Sequence, residues 1–441
     1  MTAPAAQAAE PSAPSIVRLW LHGLTWTILS AGLERVIAVV QTVVIARILG
    51  IEDYGRYGLI FGTIGLVASI AGFQLGATAT AYIARYRHSD PGAAAGVIVL
   101  AEGLSLLAAL AGLAVMAIAP EQTATWLFKQ ASYAEVMLPA GIIIMFAVVA
   151  GVQDGILQGF EAFRALAWVR VVVAVLTFAL VAVIGVAGGG LRSVLIAIAA
   201  GGAVRFVIML VLQKQLWSAD GLRYSRKALW SMRHALLEFS VPAVLGNLLL
   251  GLVMWYGTFL LSRAPGGFED VAIAAAAQQW RGPVLFLNGS LATVAIPLMS
   301  RTADAGGENA WRIHRLNVWS NLAVAVIACL VIALASRQIL GAYGHGFVEQ
   351  QEAFVLIVAS VIGQSHVQVL FQLLVSMRRI WLVLLYQTLF ILPFAAGYQL
   401  LLPELGLAGF AWLNVAVWSA AAVALHVLLA ARLRHERARP A

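Results

Sequence analysis

The sequence predicts an all-α polytopic membrane protein with about twelve transmembrane helices, arranged as two six-helix pseudo-repeat lobes around a central cavity. Three observations predict this fold. The 441 residues are 62% hydrophobic and only 11% charged, whereas a soluble chain carries about 25% charged residues. The mean hydropathy is +0.90, and apolar runs of membrane-spanning length recur along the chain. Finally, polar loop motifs of the first half reappear in order in the second half.

Twelve apolar segments reach the roughly 20 residues that a transmembrane helix needs. The predicted spans 1 to 12 are approximately 19–46, 56–84, 92–118, 134–159, 164–186, 191–213, 237–262, 270–299, 313–336, 352–376, 380–401 and 406–431. Most connections between them are short, which favours antiparallel neighbours and leaves no room for a soluble domain.

The longest polar insert divides the chain into two halves. It predicts a cytoplasmic linker with an amphipathic stretch at the membrane surface around Trp230. The first residues are rich in Ala and Pro and lack the features of a signal peptide, which predicts a disordered tail. The predicted units are a disordered cytoplasmic tail (1–16), an N-terminal lobe (17–213), the linker (214–236), a C-terminal lobe (237–432) and a basic cytoplasmic tail (433–441).

The distribution of basic residues gives the orientation. Eighteen of the 28 Lys and Arg residues fall in one set of alternate connections, six fall in the other set, and four lie within spans. Cytoplasmic loops are enriched in Lys and Arg, so both termini are expected in the cytoplasm. The net charge of +8 is scattered over short loops, which indicates membrane topology rather than nucleic-acid binding.

Two polar loop motifs indicate an internal repeat. ARILGIEDYGRYG (46–58) follows span 1, and SRAPGGFEDVAIA (262–274) follows span 7. Arg47 aligns with Arg263, and further along GATATAYIAR aligns with GSLATVAIPL. Each half has an even number of spans, so the halves share one topology and are related by an axis along the membrane normal.

Four arginines lie inside predicted spans: Arg35, Arg170, Arg205 and Arg281. A guanidinium stays charged at any relevant pH and is costly in hydrocarbon, so such residues usually face a bundle interior or a watery cavity. They predict a polar chamber suited to an anion, which points to transport rather than to soluble chemistry.

The segment ARILGIEDYGRYGLIFG after an initial amphipathic helix, followed by FQLGATATAYIARY, resembles the polysaccharide (O-antigen-type) flippase family of the multidrug/oligosaccharidyl-lipid/polysaccharide exporter superfamily. Length, span count and the basic central loop extend the resemblance over essentially the whole chain. It implies an alternating-access transporter, not an enzyme, that moves undecaprenyl-pyrophosphate-linked oligosaccharide across the bacterial inner membrane for surface polysaccharide biosynthesis. The resemblance implies membrane lipids and the polysaccharide polymerase machinery as expected partners, and no cofactor.

Span 1 carries a polar face formed by Thr27, Ser30, Glu34 and Gln41. Arg35 lies about 100° further round the helix. Adjacent residues on a helix do not face each other, so Glu34 and Arg35 are not expected to form a simple pair. We expect Arg35 to contact phosphate and Glu34 to tune it or to accept a proton as the ion-coupling group. The alternative is a cross-helix network that only fixes packing.

Span 8 carries Gln278, Arg281 and Asn288 at spacings of three and seven. Gly282-Pro283 follows the arginine, and proline commonly kinks a helix and opens a polar pocket. Arg281 is predicted to contact pyrophosphate, and Gln278 and Asn288 are further candidates for substrate binding. The alternative for Arg281 is a structural partner for a buried carboxylate such as Glu102.

Asp154 and Arg170 lie equally far from the turn between spans 4 and 5, and this spacing predicts an ion pair between them. Such a pair makes Asp154 the weaker ion-coupling candidate. Arg205 follows Gly201-Gly202, has no sequence-local partner and is predicted to line the cavity.

Span 10 carries Gln364, Gln368 and Gln372 at a spacing of four residues. These amides are candidates to bind sugar hydroxyls or to hold helices together, and the sequence does not choose between the two. His366, on another face, is interpreted as a core histidine rather than a proton relay.

Several functions are disfavoured by what the sequence lacks. There is no phosphate-binding loop, HExxH, CxxC or metal-ligand spacing, and the single cysteine, Cys329, excludes an internal disulfide. A cation-coupled multidrug exporter would favour acidic residues in both lobes, yet 242–262 has none. A peptidoglycan-precursor flippase resembles a fourteen-helix chain. A membrane glycosyltransferase or polymerase needs an acidic motif or a large outer loop.

Overall fold

The computed structural model describes residues 13–71, 73–223, 248–303, 308–377 and 379–437. These residues are helical almost throughout, and none of them forms a β-strand. The predicted stretch around Trp230, most of the linker and the outer parts of both predicted tails lie outside the described residues. The all-α membrane fold predicted from the sequence is confirmed.

The helices of the first half follow the predicted spans. They are α1 (Ala13–Ala71), α2 (Phe73–Tyr86), α3 (Pro91–Ile118), α4 (Pro120–Phe128), α5 (Ala134–Gly159), α6 (Phe163–Val186) and α7 (Leu191–Ala219). A short 3₁₀ helix, Ala131–Tyr133, precedes α5.

The helices of the second half follow in chain order. They are α8 (Leu248–Leu261), α9 (Gly267–Ala303), α10 (Glu308–Leu334), α11 (Ser336–Tyr343), α12 (His345–Val348), α13 (Gln351–Ala359), α14 (Val361–Ser376) and α15 (Ile380–Arg437).

Spans 1 and 2 form one continuous hydrogen-bonded helix, α1, as do spans 11 and 12 in α15. In each case a glycine with non-helical backbone angles divides the two spans. Gly50 in α1 has φ 74° and Gly406 in α15 has φ 49°, a left-handed region that glycine enters without steric cost. The chain therefore reverses at Gly50 between spans 1 and 2, and at Gly406 between spans 11 and 12. Gly50 falls in a connection that the sequence predicts, and Gly406 is the first residue of predicted span 12.

The structure adds short helices that the hydropathy pattern does not predict. Span 2 continues into α2, and span 10 is divided into α13 and α14 at Ser360. The connections after α3 and α10 form α4 and α11. Their eight or nine residues are too few to span a membrane, so hydropathy does not detect them. Over the described ranges, seven helical stretches are long and apolar enough on their own to cross a membrane.

Large apolar side chains point outward along the spans, as a lipid environment requires. Leu107, Val186 and Leu400 expose 68%, 92% and 73% of their surface. Small residues allow close helix contact inside each lobe: a Cβ on Gly155 of α5 would lie 2.1 Å from the carbonyl oxygen of Gly76 in α2. Backbone contact of this kind is typical of membrane helices.

The two halves meet mainly where α1 crosses α9, and the part of α1 after Gly50 contributes to this crossing. A Cβ on Gly55 would lie 1.8 Å from the carbonyl oxygen of Phe268, and one on Gly58 would lie 2.7 Å from the Cβ of Ala275. These glycines belong to the repeated loop motif and its continuation. The motif is therefore part of the interface between the lobes.

The repeat predicted from the loop motifs has a reciprocal structural counterpart. Arg47, after span 1, donates to the carbonyl oxygens of Gly341 and Ala342 at 2.6 Å each, in the α11 connection of the other lobe. Arg263, after span 7, donates to the carbonyl oxygen of Trp126 in the α4 connection of the first lobe. Each aligned arginine thus reaches across to the equivalent short helix of the opposite lobe.

Candidate functional site

A cavity of about 620 Å³ lies between α1, α5, α6 and α7 of the first lobe and α9 of the second. Its walls are mostly polar, although every contributing helix is predicted to span the membrane. The lining residues are Ala31, Glu34, Arg35, Ala38, Asp154, Arg170, Arg205, Gln278, Gln279, Gly282 and Pro283.

The cavity carries an excess of positive charge. Three arginines and two carboxylates line it, so the formal balance is one positive charge. Each guanidinium offers five N–H donors and no acceptor. An enclosed group of such donors is suited to an anion with several oxygens.

Asp154 binds two of the arginines together. Its Oδ2 accepts from Nη2 of Arg170 at 2.9 Å, and its Oδ1 accepts from Nη2 of Arg205 at 2.5 Å. The predicted pair between Asp154 and Arg170 is confirmed, and Arg205 is an additional partner from α7 that sequence spacing did not reveal. Because each of these bonds uses one nitrogen of the arginine, both guanidiniums keep further N–H donors at the cavity wall.

Arg35 is differently placed. Its guanidinium stacks on the ring of Phe286 from α9, with Cζ 4.5 Å from the ring centroid. Its Nε is buried and has no hydrogen-bond partner among the described residues. Among the described residues, no ion pair joins Arg35 to Glu34, as the helix geometry predicts. Arg35 is therefore a cation at the cavity that forms no ion pair among the described residues, although the charge of the neighbouring Glu34 acts on it.

Arg281 lies behind the cavity wall rather than on it. Its side chain is 3% exposed. It donates to Oε1 of Gln278 at 2.9 Å and to Oε1 of Gln364 at 2.5 Å, so its partners are two amides rather than Glu102. Gln278 faces the cavity and separates Arg281 from it. Direct contact between Arg281 and a ligand stays a prediction.

The other predicted polar residues of the second lobe hold helices together. Asn288 is 1% exposed and donates to the hydroxyl of Ser365 at 2.5 Å. Gln372 accepts from the side chain of Asn317 at 2.9 Å. Gln364 binds Arg281, and Gln368 is half-buried one turn further along α14. None of these side chains lines the cavity, so their binding roles stay predictions.

Two features of the site were missed by the sequence reasoning. Gln279 lines the cavity beside Gln278, and the polar pair Gln278-Gln279 before Arg281 was the available signal. A second cavity of about 200 Å³ lies within the first lobe and shares Arg205 as a wall. It also contains Gln153, which is 1% exposed and whose Nε2 has no partner among the described residues.

Aromatic residues close the interface between the lobes at the end that carries the repeated loops. Trp126 of α4 stacks on Trp255 and Phe259 of α8, with centroids 5.8 and 5.0 Å apart. On the other side of the pseudo-axis, Tyr54 packs against Tyr343 and Phe347 at 5.9 and 5.8 Å. The orientation prediction places this end at the outer face of the membrane.

Solved structures share the fold over nearly the whole chain. A multidrug resistance MATE family transporter of the MOP superfamily in its inward-facing conformation matches with a TM-score of 0.79 and 16% identity, over 92% of this chain and 96% of that chain. An outward-facing structure of such a transporter matches at 0.66 and 16% identity, over 96% of each chain.

A further structural match is a MOP superfamily transporter from Pyrococcus furiosus Vc1. The description of that structure says that the reverse polarity of its binding pocket suggests a different function. It has a TM-score of 0.66 and 14% identity, over 96% of each chain. The likeness to these structures concerns the fold. It confirms the two-lobed membrane architecture around a central cavity.

A family model adds evidence at the level of sequence. No curated protein matches the chain. The model described as "Polysaccharide biosynthesis protein" matches residues 20–303, more than half of the 441 residues, and it includes both loop motifs, Arg35, Asp154 and Arg281. The resemblance seen in the loop motifs is confirmed, and the chain belongs to the polysaccharide biosynthesis protein family.

Proposed function

We propose that this protein is an alternating-access flippase that moves undecaprenyl-pyrophosphate-linked oligosaccharide across the bacterial inner membrane for surface polysaccharide biosynthesis. The observation that carries the proposal is Arg35, a cavity cation that forms no ion pair among the described residues, beside the cluster in which Asp154 holds Arg170 and Arg205. Guanidinium groups bind phosphate oxygens bidentately. Membership of the polysaccharide biosynthesis family supports a substrate of this class.

The cavity also suits the rest of such a headgroup. Gln278 and Gln279 place neutral amides on the second-lobe wall, and amides hydrogen-bond sugar hydroxyls. The volume of about 620 Å³ lies within the range of about 300–1,000 Å³ that ligand sites occupy. In this arrangement the pyrophosphate lies against the first lobe and the sugars lie towards α9.

Alternating access is supported by the closure at one end of the interface. The Trp126 and Tyr54 clusters and the two reciprocal arginines join the lobes there. The better superposition on an inward-facing than on an outward-facing structure agrees with an outer face that is closed. Transport then requires these contacts to break as the lobes rotate.

Glu34 is the candidate for coupling transport to an ion gradient. It lines the cavity next to Arg35, and protonation of a carboxylate changes the field at a neighbouring guanidinium. Asp154 is less suited, because it is already paired with two arginines. No nucleotide-binding loop occurs in the sequence, so an ion gradient or removal of the product is the expected source of energy.

A cation-coupled multidrug exporter is the main alternative, since several structural matches are described as multidrug transporters. A cationic drug favours a cavity with net negative charge, whereas this cavity has three arginines against two carboxylates. The Pyrococcus furiosus match, with its pocket of reverse polarity, is a further case in which pocket charge separates functions on this fold. A peptidoglycan-precursor flippase would share the pyrophosphate, so only the substrate distinguishes it.

The proposal places both termini and the 214–236 linker in the cytoplasm and makes polysaccharide polymerase machinery a partner. The eighteen-to-six bias of basic residues supports this orientation. Reporter fusions after residue 223 are expected to be active in the cytoplasm, and activity on the outer side would contradict the orientation.

The function is tested with purified protein in proteoliposomes that contain one lipid-linked substrate, measuring how much of its sugar becomes accessible to an impermeant lectin. We expect flipping of the pyrophosphate-linked oligosaccharide and no uptake of cationic dyes. Arg35→Ala should reduce the rate about tenfold or more, because a charge-assisted hydrogen bond contributes about 1.5–3 kcal/mol. Arg35→Lys should retain part of the rate, since the charge survives without the bidentate fork.

Arg192→Ala is the matched control, because Arg192 forms an exposed ion pair with Glu135 outside the cavity. It should transport at the wild-type rate. Normal flipping by Arg35→Ala, or transport of cationic dyes in place of the lipid-linked sugar, would refute the proposed anion site.

A further inference from the structure

Three histidines from three helices of the second lobe lie together, away from the cavity. They are His314 on α10, His366 on α14 and His426 on α15. Nε2 of His366 lies 3.2 Å from Nδ1 of His426, and the ring centroids are 5.2 Å apart. His314 is 3% exposed and interacts electrostatically with both other rings.

The cluster lies in the half of the lobe that is predicted to face the cytoplasm. His366 is ten residues from the last residue of α14, Ser376, and His426 is eleven residues from the last residue of α15, Arg437. Both are therefore about 15 Å from those helix ends along the axis. The ring of His426 is exposed, and that of His366 is half-buried. One ring is open to the surroundings and the other reaches into the lobe.

The contact between His366 and His426 has the geometry of a shared proton. Two ring nitrogens at 3.2 Å form a hydrogen bond only if one carries a hydrogen and the other accepts it. A further proton turns one ring into an imidazolium that donates to its neutral neighbour, which is a charge-assisted bond. A second added proton would put two cations side by side. The pair is therefore built to take up one proton, in the pH range where histidine changes charge.

No neighbouring acidic group among the described residues competes with the two histidines for this proton. The helices α9, α10 and α15 pack against α14. From α10 the facing titratable group is His314, while the side chains of Arg312 and Arg315 are exposed. From α9, Arg281 is engaged by Gln278 and Gln364. Among the described residues no carboxylate forms an ion pair with His366 or His426.

The helix α14 connects the pair to the cavity wall. Gln364 lies two residues before His366 and accepts the hydrogen bond from Arg281, which in turn donates to the cavity residue Gln278. A change in packing between α14 and α15 therefore moves groups that reach the cavity. We propose that His366 and His426 form a second proton-binding site, besides Glu34 at the cavity, whose occupancy contributes to coupling a proton gradient to the transport proposed above.

The proton site is tested without any substrate. The full-length protein is labelled with ¹⁵N-histidine in nanodiscs, and the ring signals are followed by NMR between about pH 5 and 8. His366→Gln and His426→Gln assign the signals, and His88→Gln, in the connection before α3, is the control. We expect His366 and His426 to titrate together. His426→Gln should move the His366 midpoint by about one pH unit, the coupling of interacting sites, and His88→Gln should not.

Independent titration of the two rings in the wild-type protein would overturn the proton site. Coupling is tested in proteoliposomes with an imposed proton gradient. His366→Gln and His426→Gln should reduce the stimulation by the gradient while keeping downhill movement of the lipid-linked sugar. Full stimulation in both variants would overturn the coupling. If the wild type moves no lipid-linked sugar, the proposed substrate fails, and the titration still decides the proton site.

Discussion

At the scale of single residues, the chemistry of the cavity depends on how its arginines are paired. Asp154 occupies one nitrogen each of Arg170 and Arg205, whereas Arg35 rests on the ring of Phe286. The three side chains in the Asp154 cluster each expose about a fifth of their surface. The cluster therefore combines a structural role, holding α5, α6 and α7 together, with donors that face the cavity.

Replacing the shared carboxylate separates these two roles. Asp154→Asn removes the negative charge that competes with an anion for Arg170 and Arg205, so inorganic pyrophosphate should bind several-fold more tightly in calorimetry. The melting temperature should fall, because breaking a buried ion pair costs about 3–5 kcal/mol.

Glu135→Gln is the control for this prediction, since Glu135 pairs with Arg192 on an exposed surface where ion pairs contribute about 0–1 kcal/mol. It should change neither pyrophosphate affinity nor melting temperature. Weaker pyrophosphate binding by Asp154→Asn at unchanged stability would mean that Asp154 serves to position the arginines.

At the scale of secondary-structure elements, the crossing of α1 and α9 is limited by glycine. A Cβ on Gly55 would overlap the backbone of Phe268, and backbone cannot move aside as a side chain can. The neighbouring Gly58 meets Ala275. The loop motif that carries the family resemblance thus has a physical purpose, because it lets the two lobes touch at their outer ends.

Gly55→Ala should therefore hold the outer end open. The readout is labelling of a cysteine introduced by Ala38→Cys on the cavity wall, in a Cys329→Ala background, with an impermeant maleimide applied from outside. Labelling should rise several-fold. Gly65→Ala is the control, because nothing lies within 4 Å of a Cβ there. Equal labelling of the two variants would show that the crossing does not close the outer end.

At the scale of the whole molecule, the pseudo-symmetry is carried by contacts as well as by topology. Arg47 and Arg263 occupy aligned positions and bind backbone carbonyls of the α11 and α4 connections in the opposite lobes. An exposed arginine that binds a neutral carbonyl makes a bond that can break and reform. Such a pair suits an interface that has to open in each transport cycle.

Arg47→Ala and Arg263→Ala should weaken the outer closure to a similar degree. Each should raise labelling of the cysteine introduced by Ala38→Cys from outside, and the double variant should raise it further. Arg192→Ala, which lies within one lobe, should have no effect. A strong effect of one arginine and none of the other would contradict their equivalence.

The sequence by itself determined the class of fold, the spans and the repeat. The membrane leaves few choices, because every buried backbone group must be satisfied within a helix and a charge within a span is costly. Hydropathy therefore located the spans that the structure describes, Gly50 fell in a predicted reversal and Gly406 at the start of predicted span 12, and Arg35, Arg170 and Arg205 line the cavity.

Only the tertiary structure decided which polar residues share a site, because that depends on how each helix is rotated against neighbours distant in sequence. Arg205 meets Asp154 across 51 positions, and Arg281 turns away from the cavity to Gln364 across 83 positions. His366 meets His426 across 60 positions. Helical periodicity fixes the relative directions of side chains on one helix, but the direction of that whole helix is set by packing.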